Sequence, residues 1–305
     1  TGWEESPGAA PGYRTGHALC RSPRRHSVML FGGRDNENAP LADLWQYSES
    51  NQSWAEVTAY DSPSARYDHA MAYHPGLNRV VLFGGDDGRV RLDETWLYDS
   101  AGTTWTNVGL TLGTEWSDPV MSTFEDTVIL MVTAPSGPVM YRMEGMDPDA
   151  DLSWIRVDGC ELPEEMSGYR MVWHSVAQRV IMVGMDQGTM GTYIYPHSDG
   201  SPVWEKLVLT AELSTLPDSL ARDPADESVI CVTGGTVYRL DYVGAGFSTD
   251  GWQNFSPGPG PQEMMLAGMG GHQNLSSSYV FDERGRRIED ASAHYTVNAA
   301  NEVVT

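Results

Sequence analysis

"VVLFGGDDGRVRLDETWLYDSAGTTW", residues 80–105, sets a run of branched apolar residues against a double glycine, Gly84-Gly85. It then places two tryptophans, Trp96 and Trp105, nine positions apart. An apolar run ending in glycine reads either as a phosphate-cradling turn or as a structural joint. A P-loop requires GxxxxGK[ST], yet the chain's one lysine, Lys206, stands in "WEKLV". "GMGGHQN" (268–274) and the Gly258–Gly260 run lack the strand-turn-helix setting of a dinucleotide fingerprint. Phosphate chemistry is therefore not the expectation, and a repeated joint is.

Alignment of the chain with itself bears this out. "GYRTGHALCRSPRRHSVMLFGGRDNENAPLADLWQYSESNQSWAEV" (12–57) matches "ARYDHAMAYHPGLNRVVLFGGDDGRVRLDETWLYDSAGTTWTNV" (65–108) feature by feature. Each has Arg and then His-Ala (Arg14 with His17, Arg66 with His69) and a strand ending in Phe-Gly-Gly (Gly32-Gly33, Gly84-Gly85). A polar loop follows, then an acid with an aromatic (Asp43 with Trp45, Asp93 with Trp96), and a second Trp nine residues after the first. The last tryptophan recurs as Trp3, Trp54, Trp105, Trp154, Trp204 and Trp252, at intervals of 51, 51, 49, 50 and 48. The period persists where the glycines lapse, in "DTVILMVTA" (126–134) and "QRVIMVGMD" (178–186), and the pair returns as Gly234-Gly235. A period near 50 is the signature of a repeat architecture.

Within the second copy, "HAMAYH", "RVVLFGG", "ETWLYD" and "TWTNV" are strand-like runs broken by "PGLN", "DDGRVRLD" and "SAGT". No segment holds a 3.6-residue period; "KLVLTAELSTL" (206–216) is the nearest and it is short. The chain reads as all-β. Four strands per unit, Gly-Gly after the second and spaced aromatics resemble the kelch repeat of β-propellers, the kind found in the central domain of galactose oxidase. The resemblance covers residues 12–108 closely and 116–255 more loosely. It implies glycines that let the chain turn at positive φ and let blades approach, and tryptophans that fill the wedge between blades.

The fold class expected is thus an all-β, kelch-type propeller of six four-stranded blades in one domain. Its blades fall at about 12–57, 65–108, 116–158, 168–209, 217–256 and 262–305, with Trp3 in a closing strand (1–8) that completes the last blade. The alternative is five blades plus a C-terminal β-hairpin tail. "YVFDERGRR" (279–287) followed by "YTVNAANEV" (295–303) resembles two YD repeats of the RHS family, with Val297 and Asn298 departing from its pattern. That resemblance implies a propeller module of a larger secreted protein.

Composition narrows the partners. Nineteen Lys plus Arg against 42 Asp plus Glu give a net charge of −23, a field that repels nucleic acid and anionic membranes. No apolar run approaches the ~20 residues of a membrane helix, so no membrane insertion is expected. Eighteen of the nineteen cations are arginine, which points to a bacterial, GC-rich source, and a secreted or cell-surface location is the expectation. Cys20, Cys160 and Cys231 are widely spaced in apolar contexts and read as buried, inert thiols, with one disulfide left open.

No HExxH, GxSxG or paired Cys-His spacing is present, so no catalytic residues and no metal are assigned. Copper radical oxidases similar to galactose oxidase use two Tyr and two His, but His17 and His69 recur at a repeat position and read as packing. Asp147, Asp149 and Asp151 follow an EF-hand-like count in "DPDADLSWIRVD". Leu152 stands where glycine is needed, which leaves loop calcium as a minor reading and no cofactor as the main one. In kelch proteins that grip peptides, the resemblance implies arginines opening the first strands. The positions taken as matching are Arg14, Arg66 and Arg170, with Tyr13, Tyr67 and Tyr169 beside them. Converging arginines would capture carboxylates, whereas the alternative is that each bonds its own blade's carbonyls. At Asp118 and Asp218 no cation is available, so a full ring is impossible. The function expected is non-enzymatic binding or scaffolding of an acidic peptide or glycan, as a monomeric domain or part of a longer chain. The alternatives are a sugar-processing kelch enzyme similar to sialic-acid epimerases, and a structural module of an RHS-type protein.

Overall fold

The computed structural model describes residues 10–254 except 23–26, 49–50, 52, 114, 149–150, 160–161, 163–165, 197–200, 224–225, 234–235 and 244–245, together with 296–297 and 303–304. Every named element is a strand. Blade 1 is β1 (Ala18–Ser22), β2 (Ser27–Phe31), β3 (Leu44–Ser48) and β4 (Ser53–Glu56). Blade 2 is β5 (Ala70–His74), β6 (Arg79–Phe83), β7 (Thr95–Asp99) and β8 (Thr104–Asn107). Blade 3 is β9 (Ser117–Phe124), β10 (Thr127–Ala134), β11 (Gly137–Glu144) and β12 (Ser153–Arg156). Blade 4 is β13 (Ser167–His174), β14 (Arg179–Asp186), β15 (Thr189–Tyr195) and β16 (Glu205–Lys206). Blade 5 is β17 (Ser219–Arg222), β18 (Val229–Thr233) and β19 (Thr236–Leu240). A hairpin, β20 (Tyr242–Val243) with β21 (Gly246–Phe247), precedes its fourth strand β22 (Gln253–Asn254). A separate pair, β23 (Thr296–Val297) with β24 (Val303–Val304), lies near the C-terminus.

Strand position explains strand sequence. The second strand of a blade is covered on both faces, so "SVMLF" is buried at every position and shows no alternation. The outer strand buries one side chain only: in "SWAE" Trp54 is inside while Ala55 and Glu56 face water. Neighbouring first strands pack on each other, β1 on β5, β5 on β9, β9 on β13 and β13 on β17. Ala221 of β17 then shares a buried cluster with Leu19, Val28, Leu30 and Trp54 of blade 1. The described sheets therefore form a five-bladed propeller. A sixth sheet would have to stand between blades 5 and 1, where Ala221 already packs, so the six-blade expectation gives way to its five-blade alternative. Trp3 and the closing strand (1–8), and the sixth-blade or YD-type segment (262–305) apart from β23 and β24, lie outside the described residues.

The periodic tryptophans sit where blades meet. Trp105 is 1% exposed and stacks on Tyr98 of its own blade and on Phe31 of blade 1, with centroids 4.9 and 5.4 Å away. Trp154 meets Phe83 of blade 2 edge-on and donates to Thr95 Oγ1 (2.9 Å). Trp54 and Trp204 lie against Tyr47 and Tyr195. Trp252 donates from Nε1 to Thr192 Oγ1 of blade 4 at 2.8 Å, fully buried. Trp252→Phe removes this bond and the pyrrole part of a buried indole, so urea unfolding is expected to show a loss of about 2 kcal/mol. No measurable change would mean that the indole N–H does not tie blade 5 to blade 4.

Gly84 and Gly85 adopt φ of +69° and +101°, with Gly84 N–H donating to Glu94 O and the Tyr67 carbonyl 2.9 Å from where a Gly85 Cβ would stand. Their twins, Gly32 and Gly33, do the same at +59° and +98°. The pair turns the chain out of the second strand and lets the next blade's entry segment press against it. Gly234 and Gly235 lie outside the described residues. Cys20 and Cys231 are free and buried, and burial pushes both thiols above the usual range, so they are unreactive packing groups; Cys160 lies outside the described residues.

Candidate ligand site at the channel mouth

Each first strand is entered by an equivalent five-residue approach, and the glycine contacts fix the equivalence. A Cβ on Gly33 would meet Thr15 O and His17 Cβ, one on Gly85 would meet Tyr67 O and His69 Cβ, and one on Gly184 would meet Ser167 O and Tyr169 Cβ. The five approaches therefore begin at Arg14, Arg66, Trp116, Met166 and Leu216, at steps of 52, 50, 50 and 50. Arg170 does not match Arg14 and Arg66. It lies four residues further in, because β13 starts early and shifts register between Ser167 and Arg170.

Arg14 and Arg66 lock their own blades. Arg14 donates both terminal nitrogens to Asp43 (2.6 and 2.7 Å), Nη1 also to Gly32 O (3.0 Å), and Nε to Gly12 O (3.0 Å). Arg66, 0% exposed, donates to Gly84 O (3.0 Å), Ser64 O (3.0 Å), Ser64 Oγ (3.1 Å) and Glu94 Oε1 (2.6 Å). Burial pulls Arg66 below the usual arginine range and the Glu94 carboxylate opposes it. Burial would raise the Asp43 and Glu94 carboxyls, but the hydrogen bonds and charges of Arg14 and Arg66, together with further hydrogen bonds such as that from Trp45 to Asp43 and that from Asn107 to Glu94, offset it and both lie low. Each guanidinium thus joins the Gly-Gly joint of its blade to an acid just before the third strand. In the second blade that acid is Glu94. Asp93 instead receives Leu112 N–H, Gly113 N–H and Trp116 Nε1–H, holding the connector to blade 3.

The third residues of the five approaches are Gly16, Asp68, Asp118, Gly168 and Asp218. Asp68 and Asp118 hold φ of +53° and +50°, a conformation costing of order 1 kcal/mol or more outside glycine, and such strain collects at functional sites. The Asp68 carboxylate occupies the space that Gly16 leaves open, 2.6 Å from where a Cβ would be. Arg170 lies near three of these residues, Asp68, Asp118 and Asp218. Its Nη1 donates to Tyr169 O (2.9 Å) and its Nε to Asp218 O (3.3 Å). Burial pulls its pKa below the usual arginine range, against which Asp218, Asp118 and Asp68 act from a distance. Among the described residues no carboxylate lies within ion-pair distance of Arg170, whereas Arg14, Arg66, Arg79, Arg222 and Arg239 each have one.

The tyrosines divide. Tyr13 is 47% exposed beside Arg14. Tyr67 lies under the Arg34 guanidinium (4.9 Å) and donates to Asp86 Oδ1 (3.3 Å), joining the loops of blades 1 and 2. Tyr169 is buried, shares a hydrogen bond with Thr133 Oγ1 (3.1 Å) and reaches Asp118 O (3.5 Å), and burial raises its phenol well above the ordinary range. The second-to-third strand loops, 32–43 and 84–94, are long in blades 1 and 2, whereas those of blades 3 and 4 are two-residue turns, 135–136 and 187–188. The mouth therefore has raised walls on one side. Arg34 and Asp68 escape the motif search, and Asp118 and Asp218, read from the sequence as lapses in the arginine pattern, instead match Gly16 and Asp68, two residues on from the arginine position. The three aspartates do carry a signal, in their 50- and 100-residue spacing. In the 147–151 loop, Asp151 Oδ1 accepts the N–H groups of Met146 (2.9 Å) and Asp147 (2.7 Å), so this carboxylate closes the loop; Asp149 lies outside the described residues.

Comparison with known proteins places this geometry. The family profile described as the KLHDC2/KLHL20/DRC7 Kelch-repeats domain matches residues 3–137. A flagellar outer-arm dynein alpha chain from Chlamydomonas reinhardtii is 31% identical over 112 residues, 34% of this chain and 2% of that one. Dynein regulatory complex subunit 7 of the same organism is 30% identical over 95 residues, 30% of this chain and 8% of that protein. Multiple epidermal growth factor-like domains protein 8 of Mus musculus is 24% identical over 192 residues, 61% of this chain and 6% of that one. The chain thus spans a small part of the length of these curated relatives. Among solved structures, that of YjhT aligns with a TM-score of 0.56 and 13% identity over 80% of this chain and 85% of its own, a likeness of fold.

Proposed function

We propose that this kelch-type β-propeller is a binding module that takes its partner over the loop-bearing face of the ring, with Arg170 as the group that anchors it. A kelch propeller fits a binding or scaffolding role, and one relative carries in its name the role of subunit in a regulatory complex. The observation that carries the finer reading is the state of Arg170, a guanidinium beside the blade entries that, among the described residues, is bonded only to carbonyl oxygens. A carboxylate brought by a partner would supply the charge-assisted, two-point contact that Arg14 and Arg66 already find within their blades. Asp68, Asp118 and Asp218 would accept N–H or O–H groups of the same partner and would repel one bearing several negative charges. The partner class is therefore an acidic peptide or acidic glycan with a single carboxylate flanked by hydrogen-bond donors.

Peptide and glycan arrays probed with the parent chain and with Arg170→Ala test this. Capture of carboxylate-bearing ligands should fall at least tenfold in the variant, with its near-ultraviolet circular dichroism unchanged. Equal capture by both proteins overturns the reading.

A further inference from the structure

Two histidines outside the proposed ligand site occupy matched positions 100 residues apart, at the ends of the first strands of blades 2 and 4. His74 and His174 are 1% and 0% exposed. Each ring has its two nitrogens bonded on opposite sides of a blade junction. His74 Nδ1 accepts Leu77 N–H (3.1 Å) from its own turn, and Nε2 lies 3.1 Å from Thr127 Oγ1 of blade 3. His174 Nδ1 accepts Ala177 N–H (2.9 Å), and Nε2 lies 2.7 Å from Glu227 O of blade 5. A backbone N–H aimed at Nδ1 places the ring's single proton on Nε2. At His74 the far partner agrees: Thr127 Oγ1 donates to Met143 O (2.6 Å), leaving it to accept from the imidazole. At His174 a carbonyl can only accept.

We propose that His74 and His174 are acid-sensitive latches that join blade 2 to blade 3 and blade 4 to blade 5, and that protonation at Nδ1 opens both junctions. A proton on Nδ1 would set two donors face to face, N–H against the N–H of Leu77 or Ala177, so the turn must swing away. The turn after His74 also carries Gly76 N–H to Asp126 O of blade 3 (2.7 Å), so its movement removes a second link across the same junction.

The surrounding charges set the response. Asp126 of blade 3 favours protonation of His74, while burial opposes it more strongly and holds the ring at about 4. On its own turn, Arg79 is paired with Asp99 (3.0 Å) and the Tyr73 hydroxyl donates to Asn78 Oδ1 (2.9 Å). His174 faces Arg222 and Glu227 of blade 5, the Glu227 carboxylate being 3.9 Å from Nε2, and is enclosed by the Tyr242 and Phe247 rings of the β20–β21 hairpin at 4.6 and 5.3 Å. Burial is again the largest influence and lowers the ring. A histidine that is neutral when closed and titrates near 6.5 when open favours opening as pH falls. The gain is roughly tenfold per pH unit below ~6.5 until the closed-state value is reached.

Nitrogen-15 NMR on the full chain between pH 7.5 and 4.5 tests this. Both rings should show the Nε2–H tautomer at pH 7.5. From pH 6.5 to 4.5 the Leu77 amide should lose about fortyfold of its exchange protection, and the Ala177 amide should also lose protection, both corrected for intrinsic rates, while β6 amides retain theirs. In His74→Gln and His174→Gln, where the side chain does not titrate, that loss should vanish at the substituted turn. An Nδ1–H tautomer, flat protection at Leu77 and Ala177 in the parent, or an unchanged acid response in folded Gln variants overturns the proposal. If a Gln variant does not fold, the tautomer and the parent's exchange profile decide it alone.

Discussion

Arg66→Ala is expected to cost about 3 kcal/mol of unfolding free energy at neutral pH, measured by urea denaturation. Breaking a buried pair by removing one partner costs roughly 3–5 kcal/mol. The low end applies because Glu94 is 29% exposed and still receives Asn107 Nδ2–H at 3.0 Å. The larger share comes from Gly84 O and Ser64 O, which lose their guanidinium donors inside the blade. Arg66→Lys should recover only part, since one ammonium cannot reach Gly84, Ser64 and Glu94 together. Glu94 titrates below the ordinary glutamate value in the folded chain. The pair's contribution is therefore complete above the unfolded glutamate value near ~4.3 and declines as pH falls through the lower folded one. A loss under 1 kcal/mol would show that Arg66 is not a structural lock and would return it to the ligand candidates.

Gly32→Ala is expected to cost about 3 kcal/mol, although it adds a single methyl group. At φ of +59° an alanine bears a backbone cost of about 1–2 kcal/mol. Its Cβ would stand 2.5 Å from Arg66 O and 3.1 Å from Leu41 O, both main-chain atoms that cannot rotate away. Moving Arg66 O also strains its 2.8 Å bond from Gly33 N–H, the contact that seats blade 2's entry segment on blade 1. A thermal scan should place the variant several degrees below the parent. A melting temperature within a degree of the parent's would mean that the joint tolerates a side chain, and the structural account of the double glycine would fail with it.

One substitution acts inside blade 2 and the other on its seat against blade 1, and they show how far the sequence could be read. Phe-Gly-Gly and the paired Arg and acid are visible because blades 1 and 2 solve the same packing problem with the same residue types, and the tryptophan step because it recurs near every 50 residues even where those types lapse. Strand bounds in the second copy follow directly: "HAMAYH" became β5 (Ala70–His74) and "ETWLYD" became β7 (Thr95–Asp99). Glu94 was less legible than Asp93, because both are acids before the same strand and only three-dimensional reach assigns one to Arg66 and the other to Trp116. Arg170 misled through local similarity. "GYRMVW" looks like "GYRTGH", but the register shift in β13 carries its arginine past the joint toward the axis.

The sequence by itself determined a repeated all-β chain with a period near 50, the nature of its glycine joints and the positions of its tryptophan wedges. These depend on local conformation and burial pattern, which repeat with the chain. Tertiary structure alone decided the number of blades in the described ring, through the packing of Ala221 against blade 1. It also decided that Arg14 and Arg66 pair with a carboxylate of their own blade while Arg170, among the described residues, does not. Charge pairing depends on distances of 3–4 Å between residues far apart in the chain, and no one-dimensional spacing encodes them. Arg66 and Arg170 are the same residue type in similar words of sequence; Glu94 lies within reach of one, and among the described residues only carbonyl oxygens meet the other.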